Sequence, residues 1–235
     1  MIRSMSRLFN LKVLHVSVAA LLYLQSPAHA AHLQKILPAP LLKKIHKHKD
    51  QETAERFQQW ADLMARAPLL NDAEKLSAVN LFFNKMKWVE DKELWGVKDY
   101  WATPVESLLK NAGDCEDYSI AKYFTLLEMG IPEKRLSISY VQFQNDPQTH
   151  MVLTYYPDAE SDPLILDNMR SEILKSSERD DIRPVFHFNG VGVWRENRPS
   201  EILGSAEEVD EWRKMIVRLK AEQFSEQPVT LLAGK

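Results

Sequence analysis

The 235-residue chain holds one cysteine, Cys115, in the run Gly113-Asp114-Cys115-Glu116-Asp117 at the head of an amphipathic stretch. A thiol at a helix N-terminus is a candidate nucleophile, because unpaired backbone N–H groups and the positive end of the helix dipole favour the thiolate. The three flanking carboxylates act the other way, since neighbouring negative charge disfavours an anionic sulfur. Either Cys115 is an inert, small hydrophobe, or something offsets those acids.

A thiol nucleophile needs a general base, most often a histidine oriented by a carboxylate or amide. Of the seven histidines, two lie in residues 1–30 and three in the basic stretch 31–50 that follows, which leaves His150 and His187. His150 begins the run Met151-Val152-Leu153-Thr154-Tyr155-Tyr156, and Asp167 ends the run Leu164-Ile165-Leu166-Asp167. If these runs are antiparallel strands, the start of one lies beside the end of the other, which brings His150 and Asp167 within reach. The plainer reading of His150 is a polar residue at a loop edge. His187, between Phe186 and Phe188, reads as structural.

These residues must be positioned by helices followed by strands. Phe57, Trp60, Ala61 and Met64 recur at helical spacing within residues 52–67, closed by Pro68; Leu76, Val79, Phe83 and Met86 repeat the pattern within 72–89, behind an Asn71/Asp72 cap. A third helix is expected from Asp114 as N-cap, with Asp117 in capping-box spacing, to Gly130 and Pro132. Cys115 is then its first residue. Leu136 to Phe143, His150 to Tyr156, Leu164 to Asp167 and Val185 to Trp194 are short β-branched and aromatic runs separated by turn signals. Ser205 to Glu208 is a capping box before a last helix that turns Val209, Trp212, Ile216 and Leu219 inward. Helices, sheet and closing helix make an α+β fold.

Residues 1–30 read as a secretory signal: Arg3, Arg7 and Lys12 precede the apolar run Val13–Leu24, and Ala28-His29-Ala30 is a small-x-small cleavage site. An uncleaved anchor is the alternative reading. Removal of residues 1–30 leaves 27 basic and 33 acidic residues, a net charge of −6, which argues against nucleic-acid binding. Residues 31–50 form a basic leader, read as a solvated segment in preference to an anionic-surface contact. Residues 51–235 are expected to form a single domain.

Gly113-Asp-Cys-Glu-Asp-Tyr-Ser-Ile-Ala-Lys122, Thr149-His-Met-Val-Leu153 and Leu164-Ile-Leu-Asp-Asn168 together resemble the bacterial transglutaminase-like cysteine proteinases, part of the papain-like superfamily. The resemblance runs from about Trp88 to Trp194 and includes Trp101-Ala-Thr-Pro104. It implies a papain-like α+β core with the nucleophile-bearing helix on an antiparallel sheet. It also implies Cys115 as nucleophile, His150 as proton carrier and Asp167 as the group orienting the imidazole. It further implies a periplasmic, calcium-dependent endopeptidase that cuts a giant surface adhesin near its N-terminus at a di-alanine site. Such cutting disperses a biofilm, and an inner-membrane receptor for cyclic di-GMP holds the protease back.

The residues speak to calcium as well. Asp114, Glu116 and Asp117 are hard oxygen donors, and a bound cation would offset the charge that opposes a thiolate. The plainer reading is an acidic helix start satisfied by capping and dipole. Three carboxylates are too few for a full calcium shell, so Asn168, backbone carbonyls or water would complete it. The oxyanion hole is expected to use the Cys115 N–H and a side-chain donor, with Trp101 as the candidate. Apolar residues around Trp95 to Trp101 are a candidate receptor contact. Two other functions remain open: a cell-wall peptide amidase or acyl transferase with the same three residues, and a non-catalytic calcium-regulated binding module.

Overall fold

The computed structural model describes residues 36–146, 148–195 and 198–224. The expected signal peptide lies outside them. Among the described residues, no helix is long and apolar enough to cross a membrane.

Among the described residues, seven helices and nine strands follow one another in an order that begins α-rich, continues β-rich and closes on a helix. The helices α1 (Ala39–His48), α2 (Gln51–Ala65) and α3 (Asp72–Phe83) come first. Asp50 caps α2 by accepting from the Thr53 N–H, and Asn71 with Glu74 forms a complete capping box on α3. The helical stripe read as far as Val89 stops at Phe83, and Lys87–Trp88 is instead a short strand, β1. The short helix α4 (Asp91–Leu94) and α5 (Pro104–Lys110) lead to β2 (Ala112–Gly113) and then to α6 (Cys115–Glu128). Asn111 takes the left-handed conformation that ends α5, with φ 50°.

The sheet follows: β3 (Leu136–Phe143), β4 (Thr149–Tyr155), β5 (Leu164–Leu166), β6 (Leu174–Lys175), β7 (Ile182–Phe188), β8 (Val193–Arg195) and β9 (Arg198–Gly204). Its spatial order is β6-β5-β4-β3-β7-β8-β9, with every neighbouring pair antiparallel. The run Val185 to Trp194 is two strands, not one, folded back at Asn189-Gly190. The last helix, α7 (Asp210–Phe224), follows a single tight turn over Ala206–Glu208, and it is this turn that the Ser205–Glu208 capping box closes.

One face of the sheet carries Leu136, Ile138, Met151 and Leu153 into the main core, where they meet Ile120, Tyr123 and Phe124 of α6. Behind α6 lie α2, α3 and α5. Phe57, Trp60 and Phe83 pack edge to face, all fully buried, and each such side chain contributes roughly 1.5–3 kcal/mol by leaving water. The Trp60 indole donates to Thr125 Oγ1 at 3.0 Å, which pins α2 to α6 without an unpaired polar atom. Trp212 of α7 stacks on Phe124 and meets Phe188 edge-on, so the closing helix covers the junction of α6 and β7. Val141, Val152, Ile165 and Ile182 form a smaller apolar cluster separate from this core. Within the stretch set apart as a basic leader, α1 buries Leu41 and Ile45 in the main core and turns Lys43, His46, Lys47 and His48 outward.

Candidate active site

Cys115 is the first residue of α6, half-buried, with Asp114 as N-cap. The cap itself differs from the sequence expectation. Asp114 makes no side-chain cap hydrogen bond, and its Oδ1 is buried without a partner. The carboxylate turns to other acids instead of to the helix N–H groups. The Cys115 thiol donates to Glu116 Oε2 at 3.1 Å, and its sulfur also receives the Met151 backbone N–H. Burial pushes the thiol far up, and the charge of Glu116 and Asp114 adds to that; the Met151 N–H opposes it.

Met151 is the residue after His150, so the head of α6 is seated at the start of β4. His150 is buried, and its Nε2 lies 2.8 Å from Asp167 Oδ1. The register of β4 on β5, Leu153 opposite Leu166, places the start of one strand beside the residue that follows the other. With Nε2 engaged, Nδ1 is the nitrogen left for a thiol. The ring is stacked on Phe143 at 5.6 Å between centroids, which fixes its plane. Burial pushes the Asp167 carboxyl up, but the hydrogen bond and charge of His150, the Met169 N–H and Arg179 outweigh it and hold the group well below the usual carboxylate range. Asn84, just beyond α3, donates to the carbonyls of Asp167 and Arg170 at 2.8 and 2.9 Å and so clamps the loop after β5.

Beside the thiol the acids gather in a way the sequence showed only in part. Asp91, Asp114 and Asp117 each bring an oxygen within 4.8 Å of the others, and Asp91, Asp99 and Glu116 form a second group of that size. Asp91 and Asp99 are the members that sequence reasoning missed. They lie some twenty residues upstream in polar segments that read as solvated charge, and no spacing rule links them to Cys115. The connection is the parallel pairing of β1 with β2: Trp88 lies opposite Gly113, and the Val89 N–H donates to the Gly113 carbonyl at 3.0 Å. This carries the chain from Gly113-Asp114 to Asp91 in three residues.

The oxygens in this cluster suit a hard cation. Asp91 Oδ1, Asp114 Oδ1 and Asp117 Oδ2 are all buried and without hydrogen-bond partners. The second oxygens of Asp91 and Asp117 are fixed by the Tyr100 and Ala102 N–H groups, which aim the orphaned ones. Burial pushes Asp91 up to about 7, with Asp114 adding to it, and pushes Asp114 up to about 8, with Glu116 adding to it. Burial also holds Glu116 above, and Asp117 well above, the ordinary carboxylate range. An orphaned buried carboxylate is costly unless a proton or a cation accompanies it. Gly113 has to lack a side chain here, because a Cβ would sit 2.5 Å from Asp117 Oδ2.

Trp101 is buried and stacked on Phe188 at 5.5 Å, and its polar edge is turned to the Asp99 carboxylate, whose charge it helps to hold. Its indole therefore serves the acid cluster in this arrangement. Val97, in the neighbouring stretch, is exposed. His187 is buried beside Ser139, away from the Asp167 contact.

The transglutaminase-like resemblance is matched by independent comparisons. The model of the family described as bacterial transglutaminase-like cysteine proteinase matches residues 44–181. The fold is similar to that of Legionella pneumophila LapG in an EGTA-treated form, at 36% identity over 80% of this chain and 98% of that one, with a TM-score of 0.71. It is similarly close to LapG of that organism with no treatment stated, at 35% identity, the same coverage and a TM-score of 0.70. For the calcium-bound form of LapG the values are 36% identity, 76% and 97% coverage and a TM-score of 0.67. No curated protein sequence matches the chain. The family model over more than half of the chain, and solved structures 36% identical that it matches over most of its length, place the chain in the bacterial transglutaminase-like cysteine proteinase family.

Proposed function

We propose that the chain is a calcium-dependent periplasmic cysteine endopeptidase in which Cys115, His150 and Asp167 carry the reaction. The observation that supports this most directly is the 2.8 Å contact of His150 with Asp167, on the strand that also supplies a backbone N–H to the Cys115 sulfur. In this reading the Cys115 thiol gives its proton to His150 Nδ1, and the sulfur attacks the scissile carbonyl carbon. The C–N bond then breaks as the imidazolium returns the proton to the leaving amine. Water, deprotonated by the same imidazole, hydrolyses the thioester and restores the thiol. Asp167 keeps Nε2 engaged throughout, and the Cys115 N–H in the first turn of α6 is placed to meet the developing oxyanion.

Asp91, Asp114 and Asp117, with Glu116 beside them, would hold calcium, in keeping with three orphaned buried oxygens and with a relative solved in calcium-bound and EGTA-treated forms. The ion supplies positive charge next to the thiol. The proposed substrate is the N-terminal region of a large, repetitive surface adhesin, cut at a di-alanine site to release it and disperse a biofilm. The proposed restraint is the periplasmic domain of an inner-membrane cyclic di-GMP receptor. The test is incubation of the exported form with an adhesin N-terminal fragment, with and without a calcium chelator. One discrete cut, lost in Cys115→Ala and in chelator, is expected. Cutting by Cys115→Ala overturns the nucleophile, and undiminished cutting in chelator overturns the metal. An intact fragment together with altered cell-wall peptides would turn the reading to an amidase.

A further inference from the structure

Asp167 has a second oxygen, and the structure shows what holds it. Arg179, whose side chain is 3% exposed, donates from Nη2 to Asp167 Oδ2 at 2.9 Å. Its Nε and Nη2 reach Asp181 Oδ1 and Oδ2 at 2.7 and 3.0 Å, so the guanidinium is fixed as a fork on one carboxylate while it grips the other. We propose that Arg179 is a positioning residue for the reaction, holding Oδ2 of Asp167 so that Oδ1 alone is presented to His150. The inference rests on the reading of Asp167 as the group that orients the imidazole.

A carboxylate on a short side chain turns about its last torsion with a broad, two-fold profile. One hydrogen bond to an imidazole does not select between its oxygens. The Met169 N–H, 2.9 Å from Oδ1, and Arg179 on Oδ2 together select one orientation. A buried arginine is costly to keep unless its donors are satisfied, and here two carboxylates satisfy it. The other groups that face Asp167 do not do this work. Lys122 of α6 is fully buried and acts on Asp167 through charge, but its Nζ has no hydrogen-bond partner. Asn84 holds the backbone carbonyl and leaves the carboxylate free to turn. Arg170 reaches Asp181 at 3.4 Å from the exposed side, so the chain of contacts from His150 ends at the surface.

The experiment measures cleavage of the adhesin N-terminal fragment in calcium, per active site titrated with iodoacetamide, across pH. Arg179→Met is expected to lower kcat between about tenfold and a hundredfold with KM unchanged, the size seen when a group that orients a reacting residue is lost. Its acid limb is expected to move to higher pH, because a positive charge that disfavours protonation has gone. Arg179→Lys keeps the charge without the planar fork, so the limb is expected to return while kcat recovers only in part. Wild-type kcat and limb in Arg179→Met overturn the proposal, as does full recovery of kcat in Arg179→Lys. Where Arg179→Met does not fold, Asp181→Asn loosens the fork and leaves the arginine. A fall in kcat with a limb moved to lower pH supports the proposal, and an unchanged kcat overturns it. Asp167→Asn separates the two readings. If it cleaves at the wild-type rate, the triad itself is wrong; if it is dead while Arg179→Met is normal, only the role of Arg179 falls.

Discussion

The Cys115 thiol donates its hydrogen bond to Glu116, the next residue on its own helix, at 3.1 Å. In that pairing the sulfur keeps its proton: it is surrounded by acids, and burial pushes it up further. The helix dipole is worth only about 0.3–1 kcal/mol and does not offset several carboxylates close by. A cation held by those acids reverses the balance, and this gives the first prediction. Alkylation of Cys115 by iodoacetamide at neutral pH, followed by mass spectrometry, is expected to be at least about tenfold faster in calcium than in EGTA, a change of 1.4 kcal/mol or more in thiolate stability. The single cysteine of the chain makes the readout unambiguous. Equal rates would remove the link between the acids and the thiol.

Asp91 is expected to matter as much as the acids beside the cysteine. Its Oδ1 is buried and unpartnered, and it belongs to both groups of gathered acids. Asp91→Asn keeps the hydrogen bond from Tyr100 while it removes a charged ligand. Calorimetry should show calcium binding weakened by on the order of tenfold or more, as in Asp117→Asn. Wild-type affinity would exclude Asp91 from the site.

Stability in the absence of metal should run against the usual pattern with pH. Asp91 and Asp114 are pushed up to about 7 and about 8, well above their unfolded value near 4. A carboxyl raised on folding contributes stability that is full below the unfolded value and is lost as pH rises through the folded one. Asp167 is depressed and contributes the opposite way, with its share lost as pH falls below about 4. Melting in EGTA is therefore expected to be highest near pH 4 and to drop towards pH 8. Calcium should flatten or reverse that drop. A melting temperature in EGTA that rises from pH 5 to 8 would contradict the raised carboxyls.

Gly113→Ala probes the packing beneath the acids. The new Cβ would lie 2.5 Å from Asp117 Oδ2 and 2.7 Å from its Cβ, atoms carried by the first turn of α6. The clash is expected to cost about 1–3 kcal/mol of stability and to weaken calcium binding together with it. Unchanged melting and unchanged affinity would show that Asp117 relaxes freely.

Much of the site was legible because its parts lie at strand ends and helix starts. The run Leu136–Phe143 is a strand over the same residues, and His150 and Asp167 meet because antiparallel neighbours exchange ends. Other parts have no local signature. Asp91 and Asp99 sit among Lys92, Glu93 and Lys98 and look like solvated charge; it is the non-local β1–β2 pairing that carries Asp91 towards Cys115. Arg179 follows a serine-rich turn and gives no sign in sequence that its guanidinium is buried. The Asp114 cap failed for a related reason. A capping box is read from spacing alone, whereas the Asp114 carboxylate accepts from the Asp91 N–H, a donor that only the tertiary fold supplies.

The two-residue ribbon of β1 and β2 acts as a ruler. It helps set how far Asp91 stands from Asp114 and Asp117, through Trp88 opposite Gly113 and the bond from Val89. A slip of one residue in that pairing would carry Asp91 about 3.3 Å along the strand. That is longer than a calcium–oxygen bond of about 2.3–2.6 Å. A single residue added between Val89 and Asp91 would therefore take the spacing apart.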